Sequence, residues 1–260
     1  MSLAYDRTGT GEPLVLLHGL GHRRQAWASV VPLLSADRDV ITVDLPAMGE
    51  SPLPAVGDYR TMADMLEKLF GDLGIGRPHV AGNSLGGLIA LELAARGSVR
   101  SATALSPAGF WNTPEKYWCM AVFRLAGFLG DKMPDRAADL IIGNRFTRVP
   151  LFGLFFGRPS RHDAATLKEE LRCLGRDHRA AVDAGLEYFR EWSEPPAPAG
   201  DIPVTIAWGQ RDLLLFPHQA RRARRVYPAA GFVALPGLGH LPMGDDPERV
   251  AAVLLEGSRV

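Results

Sequence analysis

Only two cysteines occur in 260 residues, Cys119 and Cys173, and no C-x-x-C pair links them. Neither a disulfide framework nor a cysteine-based zinc site is therefore expected. Net charge is lacking too. Lys+Arg and Asp+Glu each number 29, so the chain carries no general attraction for nucleic acid or an anionic membrane. Arg221, Arg222, Arg224 and Arg225 make one local basic run, which reads as the solvated face of a helix. No apolar run approaches the ~20 residues of a membrane span. The opening Met1-Ser2-Leu3-Ala4-Tyr5-Asp6-Arg7 meets an acid before any apolar h-region. A soluble, cytoplasmic chain without a secretory signal is the expectation. Its 47% hydrophobic and 22% charged residues suit one large globular domain with room for an insertion.

What the chain does contain is an alternation of buried-strand and helix patterns. Leu14–Leu17, Val40–Val43, the run ending at Ala81 and Val99–Leu105 are short apolar stretches of the kind a strand buried on both faces shows. Helical segments around Gln25–Leu34, Met62–Leu73 and Gly87–Ala95 separate them. Strands spaced by such helices imply right-handed crossovers and a parallel sheet. The pattern resumes with strands at Val204–Trp208 and Phe232–Leu235, and helices at Pro217–Val226 and Pro247–Leu255. The expected fold class is α/β, with a core from 1–106 and 200–260. Residues 107–199 show no β pattern. They read as helices broken by Pro114, Pro134, Pro150 and Pro159, returning through a stiff Pro195–Gly200 linker. This insert holds 13 of the 21 aromatics, which suits a helical cap lining an apolar pocket or a small core of its own. Leu151–Phe156 is its most apolar patch, read as core packing or as the lining of a substrate entrance.

Gly82-Asn83-Ser84-Leu85-Gly86 stands between a strand and a helix. A G-x-S-x-G in that setting makes a nucleophile elbow: the chain reverses too sharply for bulky neighbours, and the serine hydroxyl is lifted out of the sheet. A serine hydroxyl is a weak nucleophile at neutral pH and needs a base. Of seven histidines, His240 lies in the Pro236–Pro242 loop directly after a strand. The base needs an acid to fix its tautomer. Asp212 follows the strand ending at Trp208, whereas the loop after Leu105 offers only Ser106, Pro107 and Ala108. All these positions fall at the C-terminal ends of strands, where open parallel sheets place their ligands. Asp212 also has the bland alternative roles of helix N-cap or Arg211 partner. Two oxyanion donors are expected from the backbone N–H groups of Leu85 and of Leu20 in the His18–Gly21 loop. His18 and His22 are four apart, but intervening glycines oppose a helix and no third ligand is evident, so no metal and no cofactor is expected.

Together, His18-Gly19, the Asp44–Ser51 turn, the Ser84 elbow, Trp208–Asp212 and Gly239-His240 resemble the α/β-hydrolase fold superfamily over essentially the whole chain. The resemblance implies a mostly parallel sheet of about eight strands with an inserted helical cap. Where that family often has Gly-His after the turn's aspartate, this chain has Ala47-Met48, which suggests an apolar wall. Dehalogenases and epoxide hydrolases of the fold use aspartate at the elbow, so Ser84 disfavours both. The resulting expectation is a serine hydrolase of carboxylic esters whose partner is a small apolar substrate. Two alternatives stay open. One is carbon–carbon hydrolysis of meta-cleavage-type diketones, with Arg124, Arg145 or Arg172 as a cap arginine. The other is a low-turnover receptor or signalling protein. Oligomeric state is not legible.

Overall fold

The computed structural model describes residues 3–51, 58–190, 195 and 201–259. Among them seven strands form one sheet: β1 (Tyr5–Thr8), β2 (Glu12–Leu17), β3 (Arg38–Val43), β4 (His79–Asn83), β5 (Ser101–Leu105), β6 (Val204–Gly209) and β7 (Gly231–Leu235), in the order β1-β3-β2-β4-β5-β6-β7. All pairings are parallel except β1 with β3. The sheet is thus mostly parallel, as expected, with seven described strands rather than eight. The central strands β4 and β5 are buried along their whole length, polar His79, Asn83, Ser101 and Thr103 included, so polar residues and the apolar Val80, Ala81, Ala102, Ala104 and Leu105 share the same dry sheet. Strand β1 is exposed at all four residues and polar at three of them, Asp6, Arg7 and Thr8, so it carried no such signal.

The helices outside the β5–β6 connection are α1 (Val31–Leu34), α2 (Tyr59–Asp72), α3 (Leu85–Ala95), α9 (Ala220–Val226), α10 (Pro242–Asp245) and α11 (Pro247–Gly257). In α2, Met62, Ala63, Leu66, Leu69 and Phe70 recur at helical spacing and face the core, and Asp58 caps the first turn by accepting the Thr61 N–H. Helix α3 is different. Residues Leu85 to Ala94 are all buried, as a helix apolar on nearly every side must be, and the one acid among them, Glu92, pairs with Arg96.

Between β5 and β6 lie α4 (Thr113–Lys132), α5 (Asp135–Gly143), α6 (Arg145–Phe152), α7 (Ala164–Arg172) and α8 (Arg179–Arg190), with a π turn at Cys173–Asp177. A capping box joins Asn112 and Glu115 at the start of α4. Glu115 also pairs with Arg222 of α9 and with His218, fastening that end of the insert to the core. Pro114 and Pro134 stand at helix starts, as a residue without an N–H should. Pro150, expected to break a helix, lies inside α6. Only one intrahelical bond is lost there, two residues before the helix ends. Residues 196–200 of the Pro-rich linker, and with them the 199/200 boundary, lie outside the described residues.

Candidate active site

The sheet order places the switch point between β2 and β4, since the chain runs from β2 outward to β3 and then returns to β4 on the other side. The His18–Gly21 loop leaves β2 there and Ser84 leaves β4. At Ser84 the backbone adopts φ 55° and ψ −114°, a sparsely populated conformation for a residue with a side chain. The flanking glycines make the reversal feasible by allowing close approach. A Cβ on Gly82 would sit 2.2 Å from the Gly86 carbonyl, and one on Gly86 would sit 2.3 Å from the Leu17 carbonyl. The N-terminus of α3 consequently points its unpaired N–H groups, Leu85 first, at the space beside Ser84.

His240 and Asp212, 28 residues apart, meet. His240 Nδ1 donates to Asp212 Oδ2 over 2.8 Å, and both side chains are buried. Asp212 Oδ1 accepts the N–H groups of Leu214 (2.9 Å) and Leu215 (2.8 Å). The carboxylate is no helix N-cap, since the helix that follows starts only at Pro217 with Phe216 at its N-cap; one oxygen holds the loop after Asp212 and the other holds the imidazole. Arg211 is not its partner and reaches the Gly157 carbonyl instead. Ser84, His240, Leu20, Gly19 and His22 line one hollow. It adjoins an apolar chamber that shares Phe155, Leu174 and Leu241 as walls. Phe152 and Phe156, from the most apolar patch of the sequence, are buried and line that chamber, so packing and lining coincide.

The loop carrying Leu20 is fixed by histidine chemistry. Leu45 N–H donates to His18 Nε2 (2.9 Å), so the ring proton sits on Nδ1 and is donated to the Gly19 carbonyl at 2.8 Å. His22 N–H also reaches that carbonyl. Because the peptide is planar and trans, holding the Gly19 C=O on one side directs the Leu20 N–H to the opposite side. Burial drives the His18 pKa down to about 3, so the ring stays neutral. Burial also resists charge on His22, but Glu170, 2.9 Å from its Nε2, outweighs this and raises its pKa. Burial pushes the Cys119 thiol up, with the Asp212 charge adding to it, so this cysteine is no nucleophile.

Several contributors escaped the sequence. Asn83 Nδ2 donates to the carbonyls of Leu105 (3.1 Å) and His240 (2.9 Å), bracing the elbow against the histidine loop. Asp245, buried, accepts N–H groups from Gly239 (2.7 Å), Gly157 (2.8 Å) and Arg158 (2.9 Å). The partners of Asn83 are 22 and 157 positions away, and two of the three partners of Asp245 lie 87 and 88 positions away inside the insert, so no spacing announces either residue. Met48 does not wall the hollow. Its sulfur lies behind the loop and accepts the Gly21 N–H at 3.3 Å. None of Arg124, Arg145 and Arg172 lines the hollow; Arg145 stacks on Phe146 and Arg172 pairs with Asp135.

The profile of the alpha/beta hydrolase family matches residues 14–253. This chain belongs to the alpha/beta hydrolase family. It is 27% identical to a pimeloyl-[acyl-carrier protein] methyl ester esterase of Aeromonas hydrophila, covering 98% of each chain. It is 28% identical to a dihydrolipoyllysine-residue acetyltransferase component of the acetoin cleaving system from Pseudomonas putida, covering 94% of itself and 63% of that protein. Among solved structures, a thermophilic esterase from Thermogutta terrifontis superposes with a TM-score of 0.75 at 27% identity, covering 98% of this chain and 92% of the other. With these esterases as relatives it is an enzyme of the hydrolase type. Among the described residues no helix is long and apolar enough to cross a membrane.

Proposed function

We propose that this chain is a serine hydrolase of carboxylic esters bearing apolar groups, with residues 107–199 as a cap over the site. The observation that carries the reading is the meeting of the His240–Asp212 pair and Ser84 at one hollow that adjoins an apolar chamber. In the reaction, His240 Nε2 takes the Ser84 proton as Oγ attacks the ester carbonyl carbon. The carbonyl oxygen becomes an oxyanion facing the N–H groups of Leu85 and Leu20. The C–O bond to the alcohol breaks, and that alcohol leaves with the proton from His240. Water, deprotonated by the same imidazole, then attacks the acyl-enzyme and releases the acid. Asp212 keeps the Nδ1–H tautomer in place throughout. The apolar chamber receives the acyl chain.

The test is multi-turnover hydrolysis of p-nitrophenyl esters from short to long acyl chains, with Ser84→Ala alongside. Sustained turnover, at least about 1,000-fold above the variant, is the expected result. A folded Ser84→Ala protein that keeps most of the activity overturns the mechanism, and a wild type that yields no more than one burst overturns the ester-hydrolase reading.

A further inference from the structure

We propose that His178 is a positioning residue for the oxyanion loop, through which the helical insert sets the direction of the Leu20 N–H. The proposal rests on the serine hydrolase reading above. His178 sits between the π turn and α8, buried at 6% exposure, and joins three segments remote in sequence. Gly49 N–H donates to its Nε2 at 2.9 Å. The neutral ring must then carry its proton on Nδ1, which lies 3.1 Å from the carbonyls of both Gly21 and Cys173 and is shared between them. One imidazole thereby ties the loop containing Leu20 to the turn after Asp44 and to the insert.

The surroundings leave this tie little slack. Gly21 has φ +75°, and a Cβ there would meet Val182 at 2.9 Å and Leu174 at 3.0 Å. The loop is gripped twice more by the insert. His22 faces Glu170, and Arg23 pairs with Glu169, so two adjacent basic side chains meet two adjacent carboxylates of α7. His18 fixes the Gly19 carbonyl and with it the Leu20 N–H of the same peptide, while His178 holds the Gly21 carbonyl at the far end of this short loop. Leu174, next to Cys173, lines both the hollow and the chamber. The wall that touches substrate is thus adjacent to the carbonyl that shares the His178 proton.

The experiment compares His178→Ala and His178→Asn with the wild type. Asparagine keeps a donor near the Nδ1 position and gives up the Gly49 contact. Three readouts are taken: kcat and KM for p-nitrophenyl butyrate, affinity for butylboronic acid, and Tm. In the boronate adduct Ser84 Oγ bonds to boron, its proton passes to His240, and the tetrahedral centre places an oxygen against the Leu20 and Leu85 N–H groups. His178→Ala is expected to lose about 10- to 100-fold in kcat and similarly in boronate affinity, with KM changed less than about threefold. That is short of the roughly 100- to 1,000-fold that follows outright loss of an oxyanion donor. His178→Asn is expected to recover most of both. A merely structural role would lower Tm in both variants without a matched loss of kcat and boronate affinity. The proposal is overturned if folded His178→Ala keeps both within twofold, or if His178→Asn folds and recovers neither. Absent serine-dependent turnover in the wild type defeats the underlying reading instead, so the two failures are distinguishable.

Discussion

Asp212→Asn tests the acid of the proposed triad with almost no change of shape. Asp212 Oδ1 accepts two backbone N–H groups, from Leu214 and Leu215, and Oδ2 accepts from His240 Nδ1. An asparagine that preserves the first two bonds must keep its oxygen there and turn its NH₂ toward His240. The opposite flip sets that NH₂ against two N–H donors, leaving buried groups unsatisfied at about 1–3 kcal/mol each. In the favoured orientation His240 Nδ1 faces a donor and becomes an acceptor, so the ring proton moves to Nε2. A nitrogen that carries a proton cannot take one from Ser84. Elsewhere the same substitution in a serine triad lowers kcat by about 10⁴, equivalent to about 5 kcal/mol of transition-state stabilisation. A loss of that order is expected in kcat for p-nitrophenyl butyrate, with KM little changed and the folded state retained. Nitrogen-15 NMR of His240 should show the proton on Nε2 in the variant and on Nδ1 in the wild type. A folded Asp212→Asn enzyme within tenfold of wild type would refute the assignment of Asp212 as the orienting acid.

Two further outcomes follow from the chamber and from His18. Ala126 is a small buried residue of the chamber wall on α4, so Ala126→Phe should shorten the preferred acyl chain. Esters beyond the new optimum should lose about fourfold in kcat/KM per excluded methylene, from ~0.8 kcal/mol each, while butyrate is spared; a uniform fall at every length would oppose the acyl-chamber reading. His18 is neutral in the fold with its pKa at about 3, below the unfolded value of about 6.5. Its contribution to stability is therefore present above pH 6.5 and is lost as pH falls toward 3, by about 2 kcal/mol between pH 7 and pH 5. Gln at position 18 offers an oxygen to the Leu45 N–H and does not titrate. Urea unfolding should then show the stability gap between wild type and His18→Gln narrowing by about that amount over the interval; a gap independent of pH would contradict a buried neutral His18.

The parts of the site that were legible in the sequence share one property: their chemistry is local. Ser84 is announced by glycines that must lie two residues to either side of it, because Gly82 and Gly86 touch across the reversal. His240 and Asp212 each follow a buried apolar run, and parallel topology alone brings the ends of such runs to one edge. Leu20 and Leu85 are proposed to act through main-chain N–H groups, so a glycine loop and a helix start are the only local signals that such a role leaves in the sequence. The parts that were not legible depend on pairings across the fold. Strand β1 is a polar edge with no alternation to read. Met48 proved a buttress because its sulfur meets Gly21, a contact 27 residues away that residue type alone does not specify.

Asp245, Asn83 and His178 each gather backbone groups from separate segments, and no spacing rule marks such a residue. The same division separates reaction from selectivity. In the proposed mechanism the reacting groups come from four strand ends whose geometry the sheet dictates. The proposed acyl chamber is built differently, with Ala126, Phe152 and Leu171 lining it from α4, α6 and α7. Helical periodicity gives each helix an apolar face but not its neighbour. Enzymes with the same elbow can therefore differ in the esters they accept, and the chamber wall, rather than Ser84, is the place to alter that choice.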